Sequence, residues 1–256
     1  MLKAIDTHAH LDHVENVEQA LQDAVAAGVE GIVALGMDLN SNKRNLEIKK
    51  KTVSPRIYLG LGIHPANIVA EEVEATIAFI REHIRDAHAI GEIGMDFWYK
   101  GVKKDEAKKE EQRQVFRRQL LLAQEYRLPV VIHSRGTWQE CLDMAREAGI
   151  QKAVFHWYSG PLDVLENILA EGYLVSASPA LAYSPQSREA IQHAPIEQTL
   201  IETDCPVFYN YPEGGFSSQP KDVFKTLEAY ARLKQVNAER ALEILNHNAK
   251  KFFSLN

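Results

Sequence analysis

The sequence predicts an α/β fold, a (β/α)8 barrel of the TIM type, on three observations. Eight short runs rich in β-branched and apolar residues recur along the 256 residues, a helix-length stretch separates each run from the next, and several runs end in histidine or a carboxylate. Strands separated in this way pair in parallel, and eight such units close into a barrel; the alternative is an open, doubly wound sheet. The length suits one domain spanning residues 1–256, with enough chain to bury a full core.

Taken in order, the runs cover residues 2–7, 31–35, 57–62, 87–93, 129–133, 152–156, 173–177 and 198–203. Between them, residues 17–27 carry a helical pattern that stops at Gly28, residues 71–84 place apolar side chains at helical spacing, and residues 108–126 form the longest helix. Residues 237–253 read as a closing helix packed on the barrel through Leu242, Leu245, Phe252 and Phe253. The mixed charges at 103–113 read as a solvated first turn, with the edge of a substrate cleft as the alternative. The segment 212–220, from Pro212 through Gly214 and Gly215 to Pro220, is irregular and follows the last strand, which in a barrel places it over the mouth. There is no internal repeat, low-complexity tract or linker.

Charge and composition exclude several classes. A net charge of −6 speaks against a broad basic surface for duplex DNA. Only Cys141 and Cys205 are present, so neither a disulfide framework nor a Cys-rich zinc site is available, and a reducing cytoplasm fits. Asp6, His8 and His10 interrupt the N-terminal region at once, which leaves no signal core, and no run approaches the length of a membrane span.

The first run enters Asp6-Thr7-His8-Ala9-His10. Residues two apart on a strand project from one face, so His8 and His10 can reach a common point, as ligands of a metal ion do. Later runs end in Glu92, His133, His156 and Asp204. The strand ends of a barrel share one face, so these six residues are expected to converge there as metal ligands although they span two hundred positions. A lone strand-end histidine is more often a core residue, and Asp204 alone can cap a helix; joint placement favours the site. Six nitrogen and oxygen donors exceed the needs of one tetrahedral ion, so two divalent cations are expected, with Glu92 as the bridge and Asp204 also accepting a proton from water.

Weaker expectations attach to other residues. His64 ends the third run and can face the cleft, and Arg135 can hold a phosphate or carboxylate in a bidentate grip; either can instead stabilise a loop. Trp98, Tyr99, Trp157 and Tyr158 follow strand ends, where aromatic rings stack on bases or simply wall a pocket. His13, His83, His88, His193 and His247 have no such placement and read as ordinary histidines, and alternation turns Cys205 away from the mouth into the packing.

Taken together, the segments DTHAHLD, GIHP, GEIGMD, QLLLAQEYRLPVVIHSR, FHWYSG and ETDCP, in this order, resemble the TatD family of metal-dependent hydrolases within the amidohydrolase-like barrels. The resemblance runs over nearly the whole chain. It implies a (β/α)8 barrel, a two-metal site and phosphodiester hydrolysis, usually as a deoxyribonuclease. It places His8, His10, Glu92, His133, His156 and Asp204 on the family's metal ligands, and His64 and Arg135 near its substrate phosphate. The chain departs from the pattern at Gly214 to Pro220, which stands where many relatives carry a Gly-Lys-Arg-Asn-Glu-Pro-like loop.

The resulting expectation is a cytoplasmic hydrolase acting on DNA ends or single-stranded DNA through two divalent ions (zinc, manganese, magnesium, iron or nickel) and a metal-activated water. Glu92 and Asp204 are the catalytic candidates. No membrane association and no obligate protein partner are inferred. Hydrolysis of an amide or ester, including an aminoacyl ester on tRNA, is the alternative within catalysis, and a non-catalytic metal-binding scaffold is the alternative outside it.

Overall fold

Eight parallel strands lie side by side in sequence order. They are β1 (Ala4–Ala9), β2 (Val29–Leu35), β3 (Arg56–Leu61), β4 (Ala87–Gly94), β5 (Val130–His133), β6 (Ala153–Phe155), β7 (Leu174–Ala177) and β8 (Thr199–Ile201). Parallel neighbours need a crossover at every step. Helices supply them: α1 (Val17–Ala27), α2 (Leu39–Lys51), α3 (Val73–Glu82), α4 (Glu106–Tyr126), α5 (Trp138–Glu147), α6 (Leu162–Ala170) and α7 (Pro185–His193). After β8 come the short strands β9 (Phe208–Tyr209) and β10 (Phe216–Ser217), then α8 (Val223–Lys234) and α9 (Ala238–Phe253). This computed structural model describes residues 2–211 and 214–255.

The sheet closes beyond the end of β8. Ala9 bridges Cys205 in parallel, His10 N–H donates to the Cys205 carbonyl at 2.8 Å, and Asp204 N–H donates to the His8 carbonyl at 2.9 Å. The buried Asp6 carboxyl strengthens the seam by accepting from Thr203 N–H at 2.9 Å and Thr203 Oγ1–H at 2.6 Å. These bonds carry the ends of β1 and β8 to the same rim.

Local chemistry sets the helix limits. Asn16 accepts the Gln19 N–H to start α1, and Gly28 at φ 106° ends it in the left-handed region. Asp38 and Ser41 form a reciprocal capping box at α2. Asp105 caps α4, which begins at Glu106, two residues ahead of the expected start, and α3 begins at Val73 after a 3-10 turn over Ala70–Glu72.

Two apolar layers result. Ile5, Val33, Leu35, Ala89, Val131, Val154 and Leu200 pack inside the barrel, joined by Ala249, Phe252 and Phe253 of α9. Asn246 of α9 clasps β1, accepting from Ile5 N–H and donating to the Lys3 carbonyl. The alternate strand residues, such as Ala4, Ile32, Leu59 and Ile132, face the helices in the larger outer layer.

Two expectations need correction, and a third, the charged segment, holds. Phe208–Tyr209 and Phe216–Ser217 pair as an antiparallel hairpin where an irregular loop was expected; two-residue strands are too short to show a period of two. Pro212 lies outside the described residues. The charged segment 103–113 contributes nothing to the main cavity wall, and its charged side chains up to residue 108 are exposed, which supports the solvated turn over the cleft edge. Tyr158 is not at the mouth: it is buried in the outer layer, with its hydroxyl on the Pro161 carbonyl.

Candidate metal centre

The barrel mouth gathers the six expected ligands, four histidines around Glu92 and Asp204 beside two of them. Around Glu92 Oε2, His8 Nε2 and His10 Nε2 each lie at 3.2 Å and stand 3.3 Å from one another. Asp204 Oδ1 lies 3.5 Å from His8 Nε2 and 3.3 Å from His10 Nε2. Four donors each about 2.0–2.1 Å from a common tetrahedral ion would be separated by edges of about 3.3–3.4 Å. Five of the six separations within the His8, His10, Glu92, Asp204 set fall at 3.2–3.5 Å, and His8, His10 and Glu92 by themselves form a group that could hold a metal ion.

A second set gathers on the other oxygen. Glu92 Oε1 lies 2.8 Å from His156 Nε2, 2.9 Å from His133 Nδ1 and 3.4 Å from His64 Nε2, and His156 Nε2 is 3.4 Å from His133 Nδ1. Glu92 thus presents one oxygen to each group.

Outer partners fix which nitrogen is available in three of the four histidines proposed as ligands, whereas His8 Nδ1 is buried without one among the described residues. His10 Nδ1–H donates to the Leu35 carbonyl at 3.1 Å, His156 Nδ1 meets Glu202 Oε1 at 3.3 Å, and His133 Nε2 meets Asp96 Oδ2 at 2.8 Å. In each case the proton sits on the outer nitrogen and the inner lone pair faces Glu92 or its neighbours, as a metal ligand requires. His64 is the reverse. Its Nδ1 accepts the Ala66 N–H at 3.1 Å, so the neutral ring carries its proton at Nε2 and offers a donor to the mouth.

The carboxylates and imidazoles of the cluster shift one another strongly. Burial pushes Glu92 up, but the imidazoles of His156, His64 and His8 outweigh it and hold the carboxyl well below its usual range. Asp204 is likewise held down, against burial, by His10, His8 and His156. Burial lowers His10, yet the carboxylates of Asp204 and Glu92 raise it to about 10; the cluster demands positive charge at its centre. Burial lowers His64 to about 4 despite Glu92, which keeps that ring neutral near pH 7.

Close backbone approaches position these groups. A Cβ at Gly62 would stand 2.7 Å from the Glu92 carbonyl, and one at Gly94, whose φ is 137°, would collide with the His133 carbonyl. Within β1, Ile5 points into the barrel whereas Ala9 belongs to the outer layer. The register with β2 shifts between Asp6 and Ala9, which is what turns His8 and His10 inward.

The cluster forms one wall of a cavity of about 600 Å³. Arg135 lines it with Nε 2.8 Å from Asp96 Oδ2 and its guanidinium 4.8 Å above the Tyr99 ring. Tyr99 and Trp157 also line it, whereas Trp98 packs edge-on against Trp138, itself a wall residue. Cys205 is buried in the outer layer as expected. His13, read as an ordinary histidine, lines the cavity beside Asp12; the short turn after β1 brings it back to the rim. Asp96 and Glu202 were also missed, although both follow strand ends and the strand-end criterion applies to them. That criterion cannot tell a carboxylate that orients a histidine from one that meets a metal.

Comparison with known proteins places the chain in a defined group. The family model described as TatD related DNase matches residues 5–254. An uncharacterized metal-dependent hydrolase of Methanocaldococcus jannaschii is 32% identical over 257 residues, covering 98% of this chain and 97% of the relative. A human protein named deoxyribonuclease TATDN3 is 27% identical, covering 97% and 94%. The crystal structure of a TatD homologue from Escherichia coli superposes with a TM-score of 0.87 at 25% identity, covering 99% of this chain and 98% of that one.

Proposed function

The chain belongs to the TatD family of metal-dependent hydrolases, and on that premise we propose that it uses two divalent cations to hydrolyse phosphodiesters in single-stranded DNA or DNA ends. The observation that carries this reading is the division of Glu92, each of whose oxygens meets its own group of donors. His8, His10, Glu92 and Asp204 would hold one cation, and Glu92, His133 and His156 the other. Bound there, such ions supply Lewis-acid polarisation of a phosphoryl oxygen and lower the pKa of water.

The protein's own groups do the rest. His64 Nε2–H donates to a non-bridging phosphoryl oxygen, because its ring is neutral and its other nitrogen is already engaged by Ala66. Asp96 and the Tyr99 ring orient the Arg135 guanidinium, which binds the same phosphate. Asp204, held as a carboxylate, takes a proton from the attacking water. An uncharged ester has no anionic oxygen for Arg135, so this pair of donors favours a phosphodiester over the acyl alternative.

The remaining walls suit unpaired nucleotides. Tyr99 and Trp157 give flat faces for bases, and the cavity lies within the small-ligand range of about 300–1,000 Å³. A net charge of −6 speaks against a broad basic surface for a long duplex. The deoxyribonuclease name carried by the human relative points to DNA.

The test is a turnover assay of metal-reconstituted protein on a single-stranded DNA oligonucleotide, bis(p-nitrophenyl) phosphate and p-nitrophenyl acetate. Both phosphodiesters should be cleaved, and Glu92→Gln should abolish most of that activity with the fold intact. Hydrolysis of the acetate alone, across several metals, would replace this function with the acyl one.

A further inference from the structure

The cavity wall that follows β7 carries polar groups with no task at the metal centre. Ala180, Tyr183, Ser184 and Ser187 line it, and the last two belong to the cap and first turn of α7. Ser184 Oγ accepts the Ser187 N–H at 3.2 Å, and the Ser184 carbonyl accepts the Arg188 N–H at 3.0 Å. Pro185 has no N–H to offer. Among the described residues the Gln186 N–H therefore remains without an acceptor. The first turn contains no acidic side chain, so α7 does not neutralise the positive end of its own dipole.

A second, independent feature lies in the same turn. Ser187 is only 3% exposed, and its hydroxyl is buried with no hydrogen-bond partner among the described residues. Native proteins rarely leave such a donor unbonded, since the hydrogen bond it would make in water is lost without replacement. An incoming acceptor would restore it. The carboxylates lining the cavity are Glu92 and Asp204, both engaged with imidazoles, so the α7 wall offers donors without competing negative charge.

We infer that the first turn of α7 is an anion subsite that takes a second phosphate of the substrate, next to the one held by His64 and Arg135, with Ser187 Oγ–H as the donor and the positive end of the α7 dipole behind it. Helix N-termini bind phosphate through unpaired amides and the dipole, and loops after strands seven and eight of such barrels repeatedly serve this purpose. The subsite rests on the phosphodiester reading above and narrows it to substrates with phosphates on successive nucleotides or at a strand end.

The experiment titrates the metal-loaded, full-length protein with thymidine 5′-monophosphate and thymidine 3′,5′-bisphosphate by calorimetry, in the wild type, Ser187→Ala and Ser187→Thr. The bisphosphate should bind the wild type about tenfold or more tightly than the monophosphate, as charge-assisted hydrogen bonds imply. Ser187→Ala should lose most of that advantage, and Ser187→Thr, which keeps the hydroxyl, should retain it. Equal affinities in the wild type, a comparison that needs no variant, or an advantage that survives Ser187→Ala, would overturn the subsite. Oligonucleotide cleavage is scored separately. Its absence alongside a Ser187-dependent advantage removes the phosphodiesterase reading and leaves the anion subsite, whereas cleavage without the advantage does the opposite.

Discussion

Asp96 Oδ2 stands 2.8 Å from His133 Nε2, which holds the imidazole proton away from the barrel mouth and turns the Nδ1 lone pair towards Glu92. The same oxygen accepts from Arg135 Nε at 2.8 Å. One buried carboxylate thus sets both the tautomer of a proposed ligand and the direction of the guanidinium proposed to hold phosphate.

Asp96→Asn should therefore weaken binding of one of two metal equivalents by about 10–100-fold, the usual cost of losing a partner of a ligating histidine. Calorimetric titration of metal-free protein resolves the two equivalents, and circular dichroism checks the fold. Unchanged affinity for both would show that Asp96 only anchors Arg135.

Asp204→Asn should lower kcat on a phosphodiester by at least about 10², the lower end for removing a proton-transfer group, with a smaller change in KM. The amide preserves shape but cannot take the proton. Wild-type kcat at saturating metal would assign Asp204 to the closure of the barrel, where its N–H bonds the His8 carbonyl.

Removing metal should lower the melting temperature, because the cation binds only the folded cluster. At free metal 100-fold above Kd the gain is about 2.7 kcal/mol, or roughly 5–10 °C for a chain of this size. Differential scanning calorimetry with and without chelator reads it directly. His10→Ala should lose most of the difference, and a full difference in that variant would place the stabilising ion elsewhere.

His88 supplies a pH dependence away from the metal centre. Burial lowers its imidazole to about 4, and Lys49 adds to the effect; the ring packs edge-on against Tyr58. A folded value below the unfolded one, near 6.5, means that stability from this group is present above about pH 6.5 and is lost as pH falls towards 4. His88→Gln should flatten the fall in melting temperature over that window. Parallel acid limbs in the two proteins would contradict the assignment.

Much of this was legible in the sequence because two periodicities carried it. The strands followed from apolar runs at helix-separated intervals, and the six proposed ligands followed from their places at strand ends. What escaped depends on geometry that no period encodes. Strict alternation from Ile5 would have sent Thr7 and Ala9 inward; the register shift before Ala9 put His8 and His10 there instead. Tyr158 was misplaced because Trp157, at φ 42°, takes the left-handed conformation and breaks the alternation beyond β6. The roles of Asp96, Glu202 and His64 depend on which ring nitrogen each histidine turns outward, and only the folded neighbours decide that. Ser187 offered no signal at all, since a serine in the first turn of a helix is ordinary until its hydroxyl is found buried and unbonded.

The most direct measurement of the central claim is anomalous diffraction from a crystal soaked with zinc or manganese. Two peaks should appear at the barrel mouth, one within bonding distance of His8, His10, Glu92 and Asp204, the other of Glu92, His133 and His156, with Glu92 shared. A single peak at full occupancy, or metal bound elsewhere while Glu92 contacts none, would contradict the bridged two-cation centre.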